Sequence, residues 1–411
     1  MDNLLRSHAD QIIAQAISAV QPDAAVRRAL DGMTFTGKVL LVAAGKAAWQ
    51  MAKAAYDQLG SRIDRGVVIT KYDHVAGPIG NFLCLEAGHP VPDENTFSAT
   101  ETALKMVADL CAEDTVLFLL SGGGSALFEK PLISGGELQN ITNQLLACGA
   151  DIVEINTIRK RLSAVKGGKF AQLCAPAKIY SVVLSDILGD PLDMIASGPA
   201  CPDSSTCAQA LAIAEKYQLD MSKETRLLLM TETPKALNNV TTQITGSVRQ
   251  LCMAAETACR SLGYEPVLLT DQLCCQAKEA GSFLASILKT HAGSGKKLAF
   301  IAGGETVVQL TGHGKGGRNQ ELALAAAEGI HGISGAAVFS IGSDGTDGPT
   351  DAAGGYVDYE TAEALRVKNI SIFSTLQEND AYHALKAVDG LIFTGPTGTN
   401  VNDVAVALLN K

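Results

Sequence analysis

Three glycines between two serines follow an apolar run and are the most distinctive chemical feature of this chain. They lie in the stretch LLSGGGSALFEKP, which covers residues 119–131. The turn consists of Ser121, Gly122, Gly123, Gly124 and Ser125. Glycine lets other groups approach the backbone closely, and free N–H groups in such a turn form a nest for anions. We predict that the turn binds nucleotide phosphates, with a packed structural turn as the alternative.

Two cations stand where strands give way to helices. Lys46, in AAGKAAW, falls in the first turn of an expected helix, where the positive helix end repels it unless both share an anion. Arg318, in GGRNQE, begins another expected helix, and its planar fork can bind a phosphate through two hydrogen bonds. Both are therefore candidates for contact with a phosphoryl group, although a solvent-exposed lysine would also explain Lys46.

A basic segment, NTIRKRLSAVKGGKF, gathers five cations on one expected helix. They are Arg159, Lys160, Arg161, Lys166 and Lys169. Arg159 and Lys166 are seven residues apart and share a helix face, so this segment can attract a triphosphate in an otherwise acidic chain. We predict Lys166 as a nucleotide ligand, and a solvated helix face is the alternative.

Acidic loops follow two expected strands. Asp186 and Asp190 belong to SDILGDPLDMIASGP, and a second loop, IGSDGTDGPTDAAGG, covers residues 341–355. Mg²⁺ favours few carboxylates together with substrate oxygens, so Asp186 and Asp190 are predicted metal ligands. Solvated turn aspartates are the structural alternative for both loops.

A second glycine pattern leaves another function open. Gly312, Gly314 and Gly317 satisfy the spacing G-x-G-x-x-G, which is typical of dinucleotide-binding turns. The same loop carries His313 and Lys315 and ends at Arg318, and these cations suit phosphoryl groups better. An NAD(P)H-dependent hydroxypyruvate reductase is therefore the alternative function, and a nucleotide-sensing protein without catalysis is a third.

The elements that must position these residues alternate between strand and helix. After a helical segment, residues 3–30, apolar runs such as KVLLVAA, GVVIT, TVLFLL and IYSVVLSD alternate with helical patterns. Continuous apolar strands in this order predict an α/β fold with a doubly wound, Rossmann-like parallel sheet, which we place in a domain of residues 1–238.

The second half predicts a smaller α/β domain with a mixed sheet, residues 239–411. Its expected strands are KKLAFIA, TVVQL, AAVFSIG and GLIFTG. Most of the strand ends in both halves run into glycine and small polar residues, and ligands of open α/β sheets bind at the carboxyl ends of strands. We therefore expect an active site in a cleft between the domains.

Composition limits the partners. The 411 residues carry a net charge of −10, which argues against nucleic acid or an anionic membrane as the main partner. The first 31 residues lack a signal-peptide pattern, and no apolar stretch is long enough to span a bilayer. Ten cysteines without a CxxC pair are typical of reduced thiols. We expect a soluble, cytoplasmic protein, and a homodimer remains open.

Eight motifs in order resemble one known family along residues 5–408. They are AAGKAA, GHPVPDEN, SGGGSAL, RKRLSAVKGGK, SDILGDPLDMIASGP, GGET, GGRNQE and SDGTDGPTDAAG. Together they are similar to the glycerate 2-kinases of the MOFRL type, whose members are also often labelled hydroxypyruvate reductase. The resemblance implies ATP- and Mg²⁺-dependent phosphorylation of the 2-hydroxyl of D-glycerate, giving 2-phosphoglycerate and ADP.

The resemblance also implies roles for single residues. The family's catalytic lysine falls on Lys46 and its catalytic arginine on Arg318. Phosphoryl transfer depends mainly on positioning and charge stabilisation. We therefore expect these two cations to neutralise the transferred group, while Mg²⁺, held by Asp186 or Asp190, bridges the phosphates. Asp190 is also our candidate for the group that accepts the hydroxyl proton.

Overall fold

The chain divides into two compact units. A computed structural model describes residues 2–410. Pro22–Thr245 forms one unit, called here the central unit, while the residues up to Gln21 and those from Gly246 form the terminal unit. The expected ranges 1–238 and 239–411 differ from this division in two places. The first helix, α1 (Asn3–Ala19), belongs with the C-terminal half, and the central unit extends through most of a strand that begins at Val240.

The central unit contains six strands and nine α-helices, with short 3₁₀ turns at Gly60–Arg62 and Ile195–Ser197. The strands are β1 (Val39–Ala44), β2 (Arg65–Lys71), β3 (Leu83–Ala87), β4 (Thr115–Leu120), β5 (Lys178–Leu184) and β6 (Val240–Gly246). The helices are α2 (Pro22–Leu30), α3 (Ala48–Leu59), α4 (Glu94–Met106), α5 (Gly124–Leu127), α6 (Gly135–Ala147), α7 (Ile152–Leu162), α8 (Lys169–Cys174), α9 (Cys207–Lys216) and α10 (Lys223–Leu229).

The sheet of the central unit confirms the Rossmann-like prediction. Its strand order is β3-β2-β1-β4-β5-β6, and β1 to β5 pair in parallel. Alternate residues of β1 enter different cores, with Leu40 and Val42 on one face and Val39 and Leu41 on the other. Helices therefore cover both faces, as continuous apolar strands require. The strand order reverses between β1 and β4, which is where such sheets place their ligands.

Helices α6, α7, α9 and α10 form a small cap with a core of its own. Leu138 and Ile141 of α6 pack with Ile155 and Ile158 of α7 in this core. Backbone hydrogen bonds at the base tie the chain that enters α6 to the chain that leaves α7, for example from Leu132 N to Leu162 O at 2.8 Å. The cap thereby fixes α7 relative to the turn that follows β4.

The terminal unit combines a mixed sheet with helices. Its strands are β7 (Glu265–Leu273), β8 (Leu298–Gly304), β9 (Ala336–Gly342), β10 (Gly354–Asp358), β11 (Leu391–Ile392) and β12 (Asp403–Leu409). Its remaining helices are α11 (Val248–Ser261), α12 (Ala277–His291), α13 (Arg318–Ile330), α14 (Thr361–Val367), α15 (Ile372–Gln377) and α16 (Ala381–Ala387). The strand order is β11-β10-β9-β12-β8-β7, in which only the β7–β8 pair is parallel. The predicted mixed sheet is confirmed.

Three sequence expectations differ from the structure. The helix expected over residues 3–30 is two helices, because Pro22 lacks an N–H and begins α2 instead of continuing α1. The expected strand TVVQL is a loop in which only Val307 forms an isolated bridge, to Gln276. The strands β6, β7, β10 and β12 were not predicted. No helix within residues 2–410 has the length and apolar character needed to cross a membrane.

Candidate active site

The glycine turn lies at the point where the strand order of the central sheet reverses. It follows β4, and Lys46 follows the neighbouring strand β1. The two strand ends are joined directly, because Lys46 N donates to Gly122 O at 2.9 Å and Ala47 N donates to Ser121 Oγ at 3.0 Å. Gly123 has a φ of 84°, which is costly for any residue with a side chain. Hydrogen bonding and glycine therefore set the shape of this turn together.

A cavity of about 290 Å³ opens along the turn. Its lining residues are His89, Pro90, Ser121, Gly122, Gly123, Gly124, Ser125, Ala126, Arg159, Asp186, Ile187, Met194, Ile195 and Ala196. All of them belong to the central unit. The structure thus brings six predicted site residues, the five of the turn and Asp186, around one space.

Lys46 and His89 stand beside the middle glycine. A Cβ atom added to Gly123 would lie 3.0 Å from His89 Nε2 and 3.3 Å from Lys46 Cγ. The Lys46 side chain is otherwise exposed, so its ammonium group is accessible from solvent. Only glycine allows the backbone, the imidazole and the lysine stem to meet this closely.

His89 lines the cavity and was not singled out in the sequence. It is half-buried in the loop after β3, and its ring forms no hydrogen bond with another described residue. Burial lowers the pKa of His89, and the charges of Lys46 and Lys71 lower that pKa further. The imidazole is therefore neutral at pH 7 and can accept a proton. The motif GHPVPDEN was visible in the sequence, but nothing local distinguishes this histidine from an ordinary loop residue.

Lys166 lies behind the turn, which corrects its expected direct contact with a nucleotide. It is fully buried, and its ammonium donates to Ser125 O at 2.8 Å and Phe128 O at 3.0 Å. Glu129 Oε2 lies 3.1 Å away. Burial lowers the pKa of Lys166 to about 8, an effect that the Glu129 carboxylate partly offsets. With three oxygens around its ammonium group, Lys166 holds the end of α5 and does not line the cavity.

The two predicted metal ligands have different surroundings. Asp186 lines the cavity wall against Gly122. Asp190 does not line it, and its Oδ1 is buried without a hydrogen bond. Among the described residues there is no cluster of three or more histidine, cysteine or carboxylate side chains suited to a metal. Of the two predicted ligands, only Asp186 lines the cavity.

Left-handed backbone supports the far wall of the cavity. Ala196 and Ser197 have φ values of 51° and 60°, which are uncommon for residues other than glycine. Ser197 Oγ lies 3.2 Å from Ser125 Oγ and donates to Asn156 Oδ1 at 2.9 Å. These contacts fix the second serine of the turn against α7.

Arg318 occupies a separate cluster in the terminal unit. Its Nε and Nη2 donate to Asp403 at 2.6 and 3.1 Å, and its Nη1 donates to Glu305 at 2.8 Å. Burial by itself would lower the pKa of Arg318, but Asp403 and Glu305 outweigh it and raise that pKa. The guanidinium group is held by two carboxylates, and Glu305 is the more exposed of the two.

Asp347 secures the helix on which Arg318 stands. Its carboxylate accepts hydrogen bonds from Asn319 N at 3.1 Å and Gln320 N at 2.8 Å, at the beginning of α13. Burial raises the pKa of Asp347 to about 6, although these backbone N–H groups oppose the rise. Asp347 belongs to the second acidic loop noted in the sequence, and it therefore caps a helix.

The loop with the dinucleotide-like spacing is occupied by protein contacts. Gly312 N donates to Asn379 Oδ1 at 2.9 Å, Gly314 N donates to Glu378 O at 2.7 Å, and Lys315 N donates to Asp380 Oδ1 at 2.9 Å. A dinucleotide turn needs its N–H groups free for the pyrophosphate. The loop is therefore a structural segment packed against the end of α15.

Two protein families match the chain, one in each half. Residues 8–230 match a domain of unknown function (DUF4147), and residues 298–403 match the MOFRL family. The chain is 51% identical to the D-glycerate 2-kinase of Thermotoga maritima over 411 residues, which covers 98% of each protein. It is similar to a crystal structure of glycerate kinase from the same organism, with a TM-score of 0.96, 51% identity and full coverage of both chains. It is also 38% identical to a protein of Agrobacterium vitis named as a hydroxypyruvate reductase, over 97% of this chain and 93% of that protein.

Proposed function

Because this chain belongs to the MOFRL-type glycerate kinases, we propose that it transfers the terminal phosphoryl group of ATP to the 2-hydroxyl of D-glycerate. The products are 2-phosphoglycerate and ADP. The family expected from the eight motifs is confirmed by the two domain matches and by the 51% identical relative. The observation that carries the proposal is the glycine turn at the strand reversal, with a lysine and a neutral imidazole beside Gly123.

The glycine turn binds the phosphate groups in this proposal. Its glycines admit an anion close to the backbone N–H groups, and Ser125 lies on the cavity wall beside them. Lys46 neutralises the charge that grows on the transferred group, since its Cγ passes close to Gly123 and its side chain is exposed. Such a charge partner contributes roughly 10²- to 10³-fold in kcat.

His89 accepts the proton of the attacking hydroxyl. We assign this role to His89 in place of Asp190, because His89 lines the cavity and Asp190 does not. A base must come within hydrogen-bond reach of the proton that it removes. As the O–H bond breaks, its electrons form the new O–P bond, the proton moves to the imidazole, and the electron pair of the old P–O bond leaves with ADP.

The family implies Mg²⁺, and one residue of the cavity fits it. Mg²⁺ is usually held by one or two carboxylates together with phosphate oxygens and water. Asp186 supplies such a carboxylate at the wall beside Gly122. The metal, when bound with ATP, supplies positive charge to the phosphates.

Arg318 remains our second catalytic cation. Asp403 accepts hydrogen bonds from two nitrogens of Arg318 and orients the plane of the guanidinium group. Glu305, which is more exposed, accepts a hydrogen bond from the third nitrogen. To contact a phosphoryl group, Arg318 exchanges Glu305 for that anion and keeps Asp403. The cleft between domains and the cytoplasmic location expected from the sequence also remain predictions, and the homodimer remains open.

One assay with two readouts tests the function. The purified protein is given D-glycerate, ATP and Mg²⁺, and the product is identified by phosphorus NMR. In parallel, NADH absorbance is followed with hydroxypyruvate. We expect ADP with 2-phosphoglycerate and a constant NADH signal. Formation of 3-phosphoglycerate would overturn the position of transfer, and loss of NADH without ADP would overturn the kinase.

A further inference from the structure

The basic segment noted in the sequence separates into cations with different partners. Two cations of α7 are paired with carboxylates. Lys160 Nζ lies 3.1 Å from Asp203 and 3.3 Å from Asp193, and both nitrogens of the Arg161 fork also lie near carboxylates. Both side chains are buried, with at most 4% of either exposed. Their charges are therefore compensated within the protein.

The two lysines that follow α7 are also accounted for. Lys166 lies against Glu129 and two carbonyl oxygens, as described above. Lys169 Nζ donates to the carbonyl oxygens of Lys160, Arg161 and Ser163 at 2.6–3.1 Å. These oxygens lie at the C-terminal end of α7, where a cation is stabilised by the helix dipole.

Arg159 differs from the other four. No carboxylate of the described residues lies within ion-pair distance of its guanidinium group, and its only hydrogen bond goes from Nη2 to Ser125 O, at 3.1 Å. Its Nε is buried without a hydrogen-bond partner. The side chain is half-buried and forms part of the wall of the cavity along the glycine turn.

A half-buried guanidinium group without a carboxylate is costly in the free protein. Removing a charge from water is unfavourable unless an opposite charge or hydrogen bonds replace the lost hydration. A buried donor without an acceptor adds to that cost. An anion in the cavity would supply the missing opposite charge, so the wall of the cavity at Ser125 is prepared for an anionic group.

We propose that Arg159 binds the carboxylate of the hydroxy acid and so determines the choice of acceptor. This inference rests on the proposed kinase function. Lys46 stands at Gly123, whereas Arg159 stands at Ser125, so the two cations meet the cavity at different residues of the turn. A 2-hydroxy acid carries its carboxylate on the carbon next to the reacting hydroxyl. With the phosphates at Gly123 and the carboxylate at Ser125, the hydroxyl lies between them.

The test compares acceptors that differ only in charge. The variants Arg159→Gln and Arg159→Lys are assayed with D-glycerate and with its neutral amide, D-glyceramide, at saturating ATP. Hydrogen bonds to charged groups contribute about 1.5–3 kcal/mol, which is about 10- to 150-fold. We expect kcat/KM for D-glycerate to fall by that factor in Arg159→Gln, mainly through KM, while kcat/KM for the amide and KM for ATP change less than threefold. Arg159→Lys should recover only part of the loss, because lysine lacks the planar fork.

A matched control and a binding experiment separate the outcomes. Arg260→Gln removes an exposed arginine that forms an ion pair with Glu256, and it should leave the activity with both acceptors unaffected. A selective rise of the KM for ATP in Arg159→Gln would assign Arg159 to the nucleotide phosphates and overturn the proposal. Equal losses with both acceptors would overturn it as well, because they indicate a structural role.

Failure of the kinase function itself would be recognised separately. If the wild-type protein phosphorylates neither acceptor, calorimetric titration with D-glycerate and with inorganic pyrophosphate still tests Arg159. Binding of D-glycerate that is weakened at least tenfold by Arg159→Gln would support the carboxylate site without the reaction. Binding of D-glycerate that is the same in wild type and variant would overturn it.

Discussion

Replacing Gly123 with alanine tests whether close approach at the turn is needed for activity. The substitution has two separate consequences in this structure. Gly123 has a φ of 84°, and left-handed backbone costs a residue with a Cβ roughly 1–2 kcal/mol. In addition, the new Cβ would lie 3.0 Å from His89 and 3.3 Å from Lys46 Cγ. Ordinary contact distances are about 3.5 Å or more, so the imidazole must move by roughly 0.5 Å.

The expected loss of activity follows from that displacement. A misplacement of 1 Å near the reacting groups can cost about 100-fold in rate, so roughly half that distance corresponds to about tenfold. We expect kcat/KM for D-glycerate to fall about tenfold in Gly123→Ala, which is about 1.4 kcal/mol of transition-state stabilisation. The assay is coupled detection of ADP under saturating ATP, with thermal unfolding of the same samples.

Gly149→Ala is the matched control, because it introduces the same strain without the contacts. Gly149 has a φ of 71°, and a Cβ added there meets no atom within 4 Å. Both variants should therefore lose the stability that left-handed backbone costs, while only Gly123→Ala loses activity. Equal activity in the two variants would refute the reasoning, since it would show that neither His89 nor Lys46 depends on the space above Gly123.

Three further predictions concern individual side chains. Lys46→Met should lower kcat by roughly 10²- to 10³-fold. Thermal stability should change little, because the side chain is exposed. Near-normal turnover in this variant would show that Lys46 has no part in the mechanism. His89 has a lowered pKa, so kcat/KM should be at its maximum at pH 7 and should fall as the pH drops through a midpoint below 6.5. The variant His89→Asn should lose roughly 10²- to 10⁴-fold of activity together with this fall at acidic pH. If the fall at acidic pH were unchanged in the variant, another group would be responsible for it. Lys166→Met leaves Glu129 buried without a counter-charge and should destabilise the central unit by about 3–5 kcal/mol in denaturant unfolding. Adding Glu129→Gln to this variant should restore much of the lost stability. A double variant no more stable than Lys166→Met would contradict this pairing.

The fold of the central unit was readable from the sequence because its signals are local. Runs such as 39–44 and 116–120 are apolar throughout, and this pattern is typical of strands that are covered on both faces. The terminal unit was less readable. Residues 306–310 were expected to form a strand because they include apolar and β-branched residues, but they form a loop. Instead β12, which comes about 100 residues later in the chain, pairs with both β8 and β9. Long-range pairing of this kind leaves no local pattern.

The candidate site was predictable to a similar extent. The glycine turn, Lys46 and Asp186 were predicted because their residue types and their places after strands are unusual for purely structural positions. His89 was not identified, and Asp190 and Lys166 do not line the cavity; Lys46 does not line it either, although it lies beside Gly123. Sequence gives the type of a side chain but not its direction, and the direction depends on which elements pack around it.

By itself, the sequence determined the family, the alternation of strands and helices, and the glycine turn that follows β4. Glycine and proline act on their own backbone, and apolar runs report burial, so these features are visible without the tertiary structure. Only the tertiary structure decided what each cation of the basic segment does. Lys160 meets a carboxylate, Lys166 supports the turn, and Arg159 faces the cavity without a counter-charge. The energy of a charge depends on its burial and its partners, and those come from parts of the chain that are distant in sequence.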